Sequence, residues 1–183
     1  MTLGIVLPLV LLALVVFVLV MFARRAARAL AVSRAATAFQ TEVVDCSGRI
    51  MPVVDDLVRR VDAVRRHQLP AEEIRGALAE AQGTFERERE VIAGWQLPSG
   101  FTVLVGDMAE DVDRLARAVQ TISFGTELAV EGTGHQRELE SQTVIKRGYL
   151  NLLHAREAIA RHALEAQDLE PDDAAQKAGR RIA

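Results

Sequence analysis

The chain contains 183 residues, of which half are apolar, 26% are charged and only 4% are aromatic, and its formal net charge is -3. A protein that binds the phosphate backbone of nucleic acids needs a basic face, so this charge balance argues against a nucleic-acid partner. The single cysteine, Cys46, cannot form a disulfide within the chain, so no disulfide framework is expected.

The first predicted element is a transmembrane anchor in residues 1–23. Leu3 to Phe22 is an uninterrupted stretch without a charged side chain, and about 20 helical residues cross a hydrocarbon core of roughly 30 Å. A cleaved signal peptide is the competing interpretation, but it needs a basic start, a shorter apolar stretch and a small-residue cleavage site. The sequence therefore favours a retained single-pass helix.

A basic segment, residues 24–38, follows the apolar stretch and is predicted to be a juxtamembrane helix. It contains Arg24, Arg25, Arg28 and Arg34, and no acidic residue occurs before Glu42. Because positive charge stays on the cytoplasmic side, we expect the N-terminus outside and the rest of the chain in the cytoplasm, at the cell (inner) membrane. The same arginines are candidates for contact with lipid headgroups.

Residues 39–166 are predicted to form a cytoplasmic bundle of four helices, because apolar residues recur at spacings of three and four. The first stripe is Phe39, Val43, Cys46, Ile50, Val53, Leu57, Val61 and Val64. Gly48 and Pro52 interrupt this helix and predict a kink or a short break near Gly48.

The remaining three helices follow turns that are rich in proline or glycine. Pro70 is expected at the first position of the second helix, with Glu72 and Glu73 in its first turn. The second stripe is Ile74, Leu78, Ala81, Phe85, Ile92 and Trp95, interrupted only by Glu88. The third is Phe101, Val105, Met108, Val112, Leu115, Val119 and Ile122. The fourth is Leu139, Ile145, Tyr149, Leu152, Leu153, Ile159 and Leu164.

The predicted fold class is therefore all-α, with an N-terminal transmembrane helix that continues into an antiparallel four-helix bundle or coiled-coil-like domain. A coiled coil between chains would show similar stripes and remains an alternative. Residues 167–183 lose the apolar pattern and are predicted to be a disordered or frayed tail.

Residues suited to metal binding or catalysis are few. Glu-x-x-His, the ligand pair of di-iron bundles, does not occur, although His154 and His162 each have a glutamate three residues later. The two pairs are eight residues apart, which rotates one by about 80° from the other, so they do not face one site. We expect no cofactor, no metal, no catalytic residue and no small-molecule substrate.

Acidic residues cluster in the third predicted helix, at Asp107, Glu110, Asp111 and Asp113. Paired carboxylates can serve acid-base chemistry or hold a cation. Arg114 follows at once and completes the charge spacing of an exposed helix, so a solvated face is the favoured interpretation.

The fourth helix contains the densest polar cluster, which is a candidate partner surface. Its residues are Lys146, Arg147, Gly148, Tyr149 and Asn151. A glycine inside a helix often marks a place where another helix packs closely, so partner contact and internal packing are equally favoured at Gly148.

The hairpin of the third and fourth helices predicts an ion pair. If the turn lies at about Thr133, Glu110 and Asp111 lie opposite Arg156. Arg156 falls within the apolar seam of its helix, where an unpaired charge is costly to bury. The alternative is a seam rotated slightly toward Leu153, which leaves the head of Arg156 in water.

The order of an N-terminal anchor and a helical bundle resembles the LemA family, and Ile50-Met51-Pro52 lies about where that family has Leu-Ile-Pro. The Tyr-Asn pattern near the end of that family is missing, and a fourth helix is present. The chain is therefore not assigned to that family.

The sequence favours a non-enzymatic, membrane-anchored interaction or scaffold protein with a protein partner or a second copy of itself. A signalling protein is the first alternative, because an anchor continuous with a bundle can transmit a helix movement. A metal-binding or catalytic bundle ranks last.

Overall fold

A computed structural model of the chain describes residues 3–95, 102–131 and 135–168, with backbone alone at 3–13, 28, 29, 32, 131 and 135. These residues form helices and no strand. Helix α1 spans Leu3–Arg65, the short 3-10 helix η1 spans Ala71–Ile74, and α2 spans Arg75–Ala93. Helices α3 and α4 span Thr102–Glu131 and His135–Asp168.

The chain divides into two units within α1. Residues 39–168 form a compact helical bundle, and residues 3–38 belong to a separate unit. The all-helical class predicted from the sequence is confirmed. Among the residues that the structure describes, no helix meets the length and hydropathy of a membrane-crossing segment.

Contacts of α1 with α2 show that these helices run antiparallel. Phe39 packs edge-on against Trp95, which lies two residues beyond the end of α2, with ring centroids 6.1 Å apart and planes at 86°. Ten residues further along α1, Arg49 contacts Glu88. Residue numbers therefore rise in one helix as they fall in the other, and α2 in turn packs on α3.

Helix α4 lies antiparallel to α1 on the other side. Asp55 of α1 contacts Arg156, and Arg65, at the end of α1, lies over the ring of Tyr149 at 4.5 Å from its centroid. In the bundle, α1 therefore has α2 and α4 as neighbours. Helices α3 and α4 also pack along one another.

The core is mainly aliphatic, as the composition predicts, and also contains two phenylalanines. Its largest fully buried side chains come from all four long helices and from η1. They are Phe39, Val43, Ile50, Val54, Leu57, Ile74, Phe85, Met108, Leu115, Ile122, Leu152 and Ile159. Each contributes about 1.5–3 kcal/mol through removal of apolar surface from water.

Some stripe positions are less buried than the prediction requires. In α1 the buried residue after Ile50 is Val54, and Val53 is only partly covered. In α4, Leu139 and Leu164 are 52% and 62% exposed. The face of α4 that packs on its neighbours is therefore rotated away from these two leucines.

Helix α1 continues without a break through Gly48 and Pro52. Of the two alternatives predicted there, the short break is therefore wrong, and the kink stays a prediction. Cys46, Ile50 and Val54 are all fully buried on one face, so the same apolar stripe packs on both sides of the proline and keeps the helix in phase.

The turn after α1 matches the sequence pattern in position but not in helix type. Pro70 precedes η1, whose first turn contains Glu72 and Glu73, and the α-helical part begins only at Arg75. Residues 97–100 and the glycines at 132 and 134 lie outside the described residues. The predicted tail lies there from residue 169, while α4 includes residues 167 and 168.

Candidate functional site

A buried hydrogen bond connects α3 and α4. His162 Nε2 lies 2.9 Å from Asp111 Oδ2, and the two side chains are only 8% and 6% exposed. Arg114 donates from Nη1 to the other carboxylate oxygen of Asp111 at 2.8 Å. Asp111 therefore lies between a guanidinium group and an imidazole.

The second ring nitrogen of His162 has no such partner. Nδ1 is buried and makes no hydrogen bond to any described residue, although Glu165 Oε2 lies 3.5 Å away. The Asp111 carboxylate can only accept a hydrogen bond, so Nε2 carries a proton and donates it. In a neutral imidazole, Nδ1 is then an acceptor, and it faces the carboxylate oxygen of Glu165, which is also an acceptor.

A polar cavity of about 350 Å³ opens beside this pair. Its walls are formed by Asp107, Glu110, Asp111, Arg114, Arg161, His162 and Glu165. Arg114 is already bound to Glu110 and Asp111. Acidic groups outnumber basic ones around the cavity, so its charge favours a cation over an anion.

The acidic cluster of α3 is therefore not one solvated face. Asp107 and Glu110 are exposed, whereas Asp111 is 4% exposed. Asp113 points elsewhere and lies 3.6 Å from Arg89 of α2. Because successive residues of a helix point in different directions, carboxylates that are close in sequence lie in different surroundings.

A second buried charge replaces an apolar residue in the stripe of α2. Glu88 is 6% exposed and accepts two hydrogen bonds from Arg49 of α1, at 2.7 and 2.8 Å. These bonds hold the pKa of Glu88 below its ordinary value, and they raise that of Arg49. The interruption of the α2 stripe at Glu88 is the sequence signal for this interhelical pair.

Cys46 lies next to this pair. Its side chain is fully buried, and burial, followed by the negative charge of Glu88, raises its pKa to about 12. The thiol therefore stays protonated at neutral pH and is a poor nucleophile.

The candidate partner surface of α4 divides into exposed and buried residues. Lys146, Arg147 and Asn151 are exposed. Gly148 is buried, and a Cβ atom there would lie 2.6 Å from Ile122 Cγ1. Gly148 thus serves internal packing against α3 and is not part of an exposed surface.

Tyr149, the fifth residue of that surface, is partly covered. The guanidinium of Arg65 lies over its ring, 4.5 Å from the centroid. Tyr149 therefore contributes to the contact of α1 with α4, and the exposed part of the surface contains Lys146, Arg147, Asn151 and the neighbouring Leu150, which is 45% exposed.

Arg156 has a different partner from the predicted one. Its Nε donates to Asp55 Oδ1 of α1 at 2.6 Å, whereas Glu110 and Asp111 are bound by Arg114. The residue of α4 that faces Asp111 is His162. Arg156 lies on the side of α4 that faces α1, and the hairpin register alone cannot distinguish the two sides.

The candidate headgroup contacts lie in the unit of residues 3–38. Arg24, Arg25 and Arg34 are exposed, and the side chain of Arg28 lies outside the described residues. They follow a stretch of exposed apolar side chains from Leu14 to Phe22.

No group of three or more His, Cys, Asp or Glu side chains in the described ranges is arranged to hold a metal ion. Comparison of the chain with protein-family models, curated proteins and solved structures finds no match.

Proposed function

We propose that this chain is a non-enzymatic, membrane-anchored interaction protein whose helical bundle works at the cytoplasmic face of the cell membrane. Residues 1–23 would form the single-pass anchor, and the bundle of residues 39–168 would be the part that binds a protein partner.

One observation carries the membrane attachment. Every side chain from Leu14 to Phe22 is large, apolar and exposed, with exposed fractions between 43% and 69%. Contiguous apolar surface of this kind marks contact with a membrane or a protein. The uncharged sequence begins as early as Leu3, which gives the length that a bilayer requires.

The basic residues support the orientation. Arg24 and Arg25 come directly after the apolar stretch and Ala23, and Arg34 lies further along the same helix. All three are exposed, as expected for side chains in contact with anionic headgroups on the cytoplasmic side.

The surface of α4 supports partner binding. Lys146, Arg147, Leu150 and Asn151 form one exposed face that combines two positive charges with a large apolar side chain. A partner with an apolar contact inside an acidic rim would bury Leu150 and pair with the two positive charges.

The anchor is tested by alkaline carbonate extraction of membranes that contain the full chain. We expect the full chain to stay in the membrane pellet, and a chain without residues 1–23 to be released. Release of the full chain would refute the anchor.

Orientation is tested with a cysteine at exposed position Lys146, in a Cys46→Ala background. An impermeant thiol reagent should label it only after the membrane is opened. Labelling in intact cells would show that the bundle faces outward.

Partner binding is tested by cross-linking in membranes. The double substitution Lys146→Glu and Arg147→Glu should remove a stoichiometric cross-linked partner, while the control Arg75→Glu, at an exposed position of α2, should keep it. Equal cross-linking by the unmodified chain, the double variant and the control variant would exclude this face of α4 as the partner surface.

A further inference from the structure

We propose that α4 pairs antiparallel with α4 of a second copy of this chain, through residues on the side of the helix that faces away from the core. This inference rests on the proposed function, because it identifies the protein partner of the α4 surface as a second copy.

Helix α4 has two stripes of residues that recur at alternating spacings of four and three. One stripe is buried in the bundle and consists of Ser141, Ile145, Gly148, Leu152, Ala155, Ile159, His162 and Ala166. The other, here named the outer stripe, consists of Leu139, Thr143, Lys146, Leu150, Leu153, Glu157, Ala160 and Leu164. Each of its members precedes a member of the buried stripe by two residues. Two residues turn a helix by about 200°, so the outer stripe lies on the opposite face of α4.

The outer stripe is apolar surface that the bundle leaves open. Leu139, Leu150 and Leu164 are 52%, 45% and 62% exposed, and Leu153 and Ala160 are only partly covered. No other leucine in the described part of the bundle is exposed. The stripe is about 38 Å long, and its spacing is that of the seam along which two helices pack as a coiled coil. The two leucines that the core of the bundle does not use are therefore placed to pack on a second helix.

The charges in the outer stripe select the occupant and its direction. Lys146 and Glu157 are both exposed, and neither makes an ion pair with a described residue. In a parallel pair of identical helices each would face its own copy, which brings like charges together and is unfavourable. In an antiparallel pair with Leu150 opposite Leu153 of the second copy, Lys146 of each copy lies opposite Glu157 of the other.

The same register matches the remaining members of the outer stripe. Outward from the central leucine layers and the ion pairs, Thr143 lies opposite Ala160, and Leu139 lies opposite Leu164. The order of the layers is the same from both ends of the pair. A two-fold interface requires this reciprocity, since residue i must contact residue j while j contacts i. The outer stripe is therefore complementary to itself along its whole length.

The charges beside the outer stripe agree with this register. Glu140 and Arg161 are exposed and come directly after the stripe residues Leu139 and Ala160, so both lie on the same flank of the stripe. In the antiparallel pair, Glu140 of each copy lies about 3 Å along the axis from the position opposite Arg161 of the other. Charged residues at such flanking positions form salt bridges between helices and determine their orientation.

The pairing also determines where the two chains enter the dimer. Because α1 runs antiparallel to α4 within each bundle, residue 39 of the two copies lies at opposite ends of the pair. The two proposed anchors therefore leave the pair at opposite ends. Detergent is the suitable medium for the test, since no bilayer then fixes the direction of the anchors.

The test is the mass of the full chain in detergent, measured by size-exclusion chromatography with light scattering. We expect a dimer that dissociates on dilution. Glu157→Lys should raise its dissociation constant at least about tenfold, because two lysine pairs replace two ion pairs. The double variant Lys146→Glu, Glu157→Lys should restore the dimer, since it only exchanges the charges. Glu90→Lys makes the same charge change at an exposed position of α2 and should leave the dimer unchanged.

Disulfide trapping tests the direction of the helices. In a Cys46→Ala background, a mixture of Leu139→Cys chains and Leu164→Cys chains should form a disulfide-linked dimer after treatment with diamide. Either variant alone should not, because identical positions lie about 38 Å apart in the antiparallel pair.

Three results would overturn the pairing. They are a monomer at every concentration, a dimer that Glu157→Lys leaves unchanged, and a disulfide formed by Leu139→Cys chains alone, which would show parallel helices. The proposed function fails separately. If the chain is a monomer while Lys146→Glu with Arg147→Glu still removes a cross-linked protein of different mass, the self-pairing is wrong and the proposed function stands. If the chain dimerises but alkaline carbonate releases it from membranes, the anchor is wrong and the pairing stands.

Discussion

The close packing of α3 on α4 predicts that Gly148→Ala destabilises the bundle. In a helix interior, replacement of glycine by alanine gains about 1 kcal/mol, because glycine loses more backbone freedom on folding. At Gly148 the new Cβ would lie 2.6 Å from Ile122 Cγ1 and 3.1 Å from Ala118 O and from Ile122 N. Two of these atoms are backbone, which cannot move without shifting α3.

The clash outweighs the gain. Forcing an extra methyl group into a close-packed contact typically costs about 1–3 kcal/mol. After subtraction of the helix-propensity gain, we expect Gly148→Ala to lower the free energy of unfolding by about 1 kcal/mol. The larger part of the cost arises from separation of the two helix backbones.

Gly48→Ala is the matched control. Gly48 also lies inside a long helix, but no described atom outside its own turn lies within 4 Å of a Cβ built there. This substitution should raise the free energy of unfolding by about 0.5–1 kcal/mol. The two alanine variants should thus differ in stability by about 2 kcal/mol, with opposite signs relative to the unmodified chain.

The assay is chemical denaturation followed by circular dichroism at the helical wavelengths, with both variants in the same detergent. Gly125→Ala and Gly106→Ala repeat the comparison within α3, because a Cβ at Gly125 would lie 2.7 Å from Ile145 Cγ1 and one at Gly106 meets no described atom within 4 Å. The reasoning is refuted if Gly148→Ala stabilises the chain as much as Gly48→Ala does.

Three further predictions concern the charged and buried groups. The hydrogen bonds from Arg49 lower the pKa of Glu88. The stability that Glu88 contributes is therefore present at neutral pH and is lost as the pH falls through the lowered pKa of the folded state. Glu88→Gln should remove this acid dependence from denaturation curves and should cost about 1–2 kcal/mol at pH 7, because the guanidinium of Arg49 is half exposed. A double-mutant cycle on Arg156→Ala and Asp55→Ala should give a coupling of at most about 1 kcal/mol, since the side chains are 37% and 48% exposed; a coupling of several kcal/mol would indicate a buried pair. The pKa of Cys46, about 12, predicts that a thiol reagent reacts with the folded chain slowly at pH 8 and rapidly after unfolding; fast reaction without denaturant would contradict its burial.

Periodicity predicts the core of α1 well but cannot choose between adjacent candidates. After Ile50, a step of three residues leads to Val53 and a step of four leads to Val54, and both fit a period of 3.6. Packing selects Val54, which is fully buried. The choice depends on the rotation of the helix against its neighbours, which the one-dimensional pattern leaves open.

Hydrophobicity is a poorer guide in α4, because this helix contacts α3 through small side chains. Gly148 is buried, and Ser141, which is 2% exposed, donates to the carbonyl of Gly125 at 2.8 Å. The large residues Leu139 and Leu164 stay exposed. Small residues allow close approach of two helices but carry little hydrophobic signal in the sequence.

The sequence by itself determined the all-helical class and the approximate extent of each helix, because apolar spacing and the proline and glycine turns are local features. The polar pairs between helices were decided only by the tertiary structure. Asp111 and His162 are separated by 51 residues, and Arg156 selects Asp55 over the acids of α3. Each pair depends on the rotation and the neighbours of two helices, which are set by packing of the whole core, so no local pattern of charges could specify them.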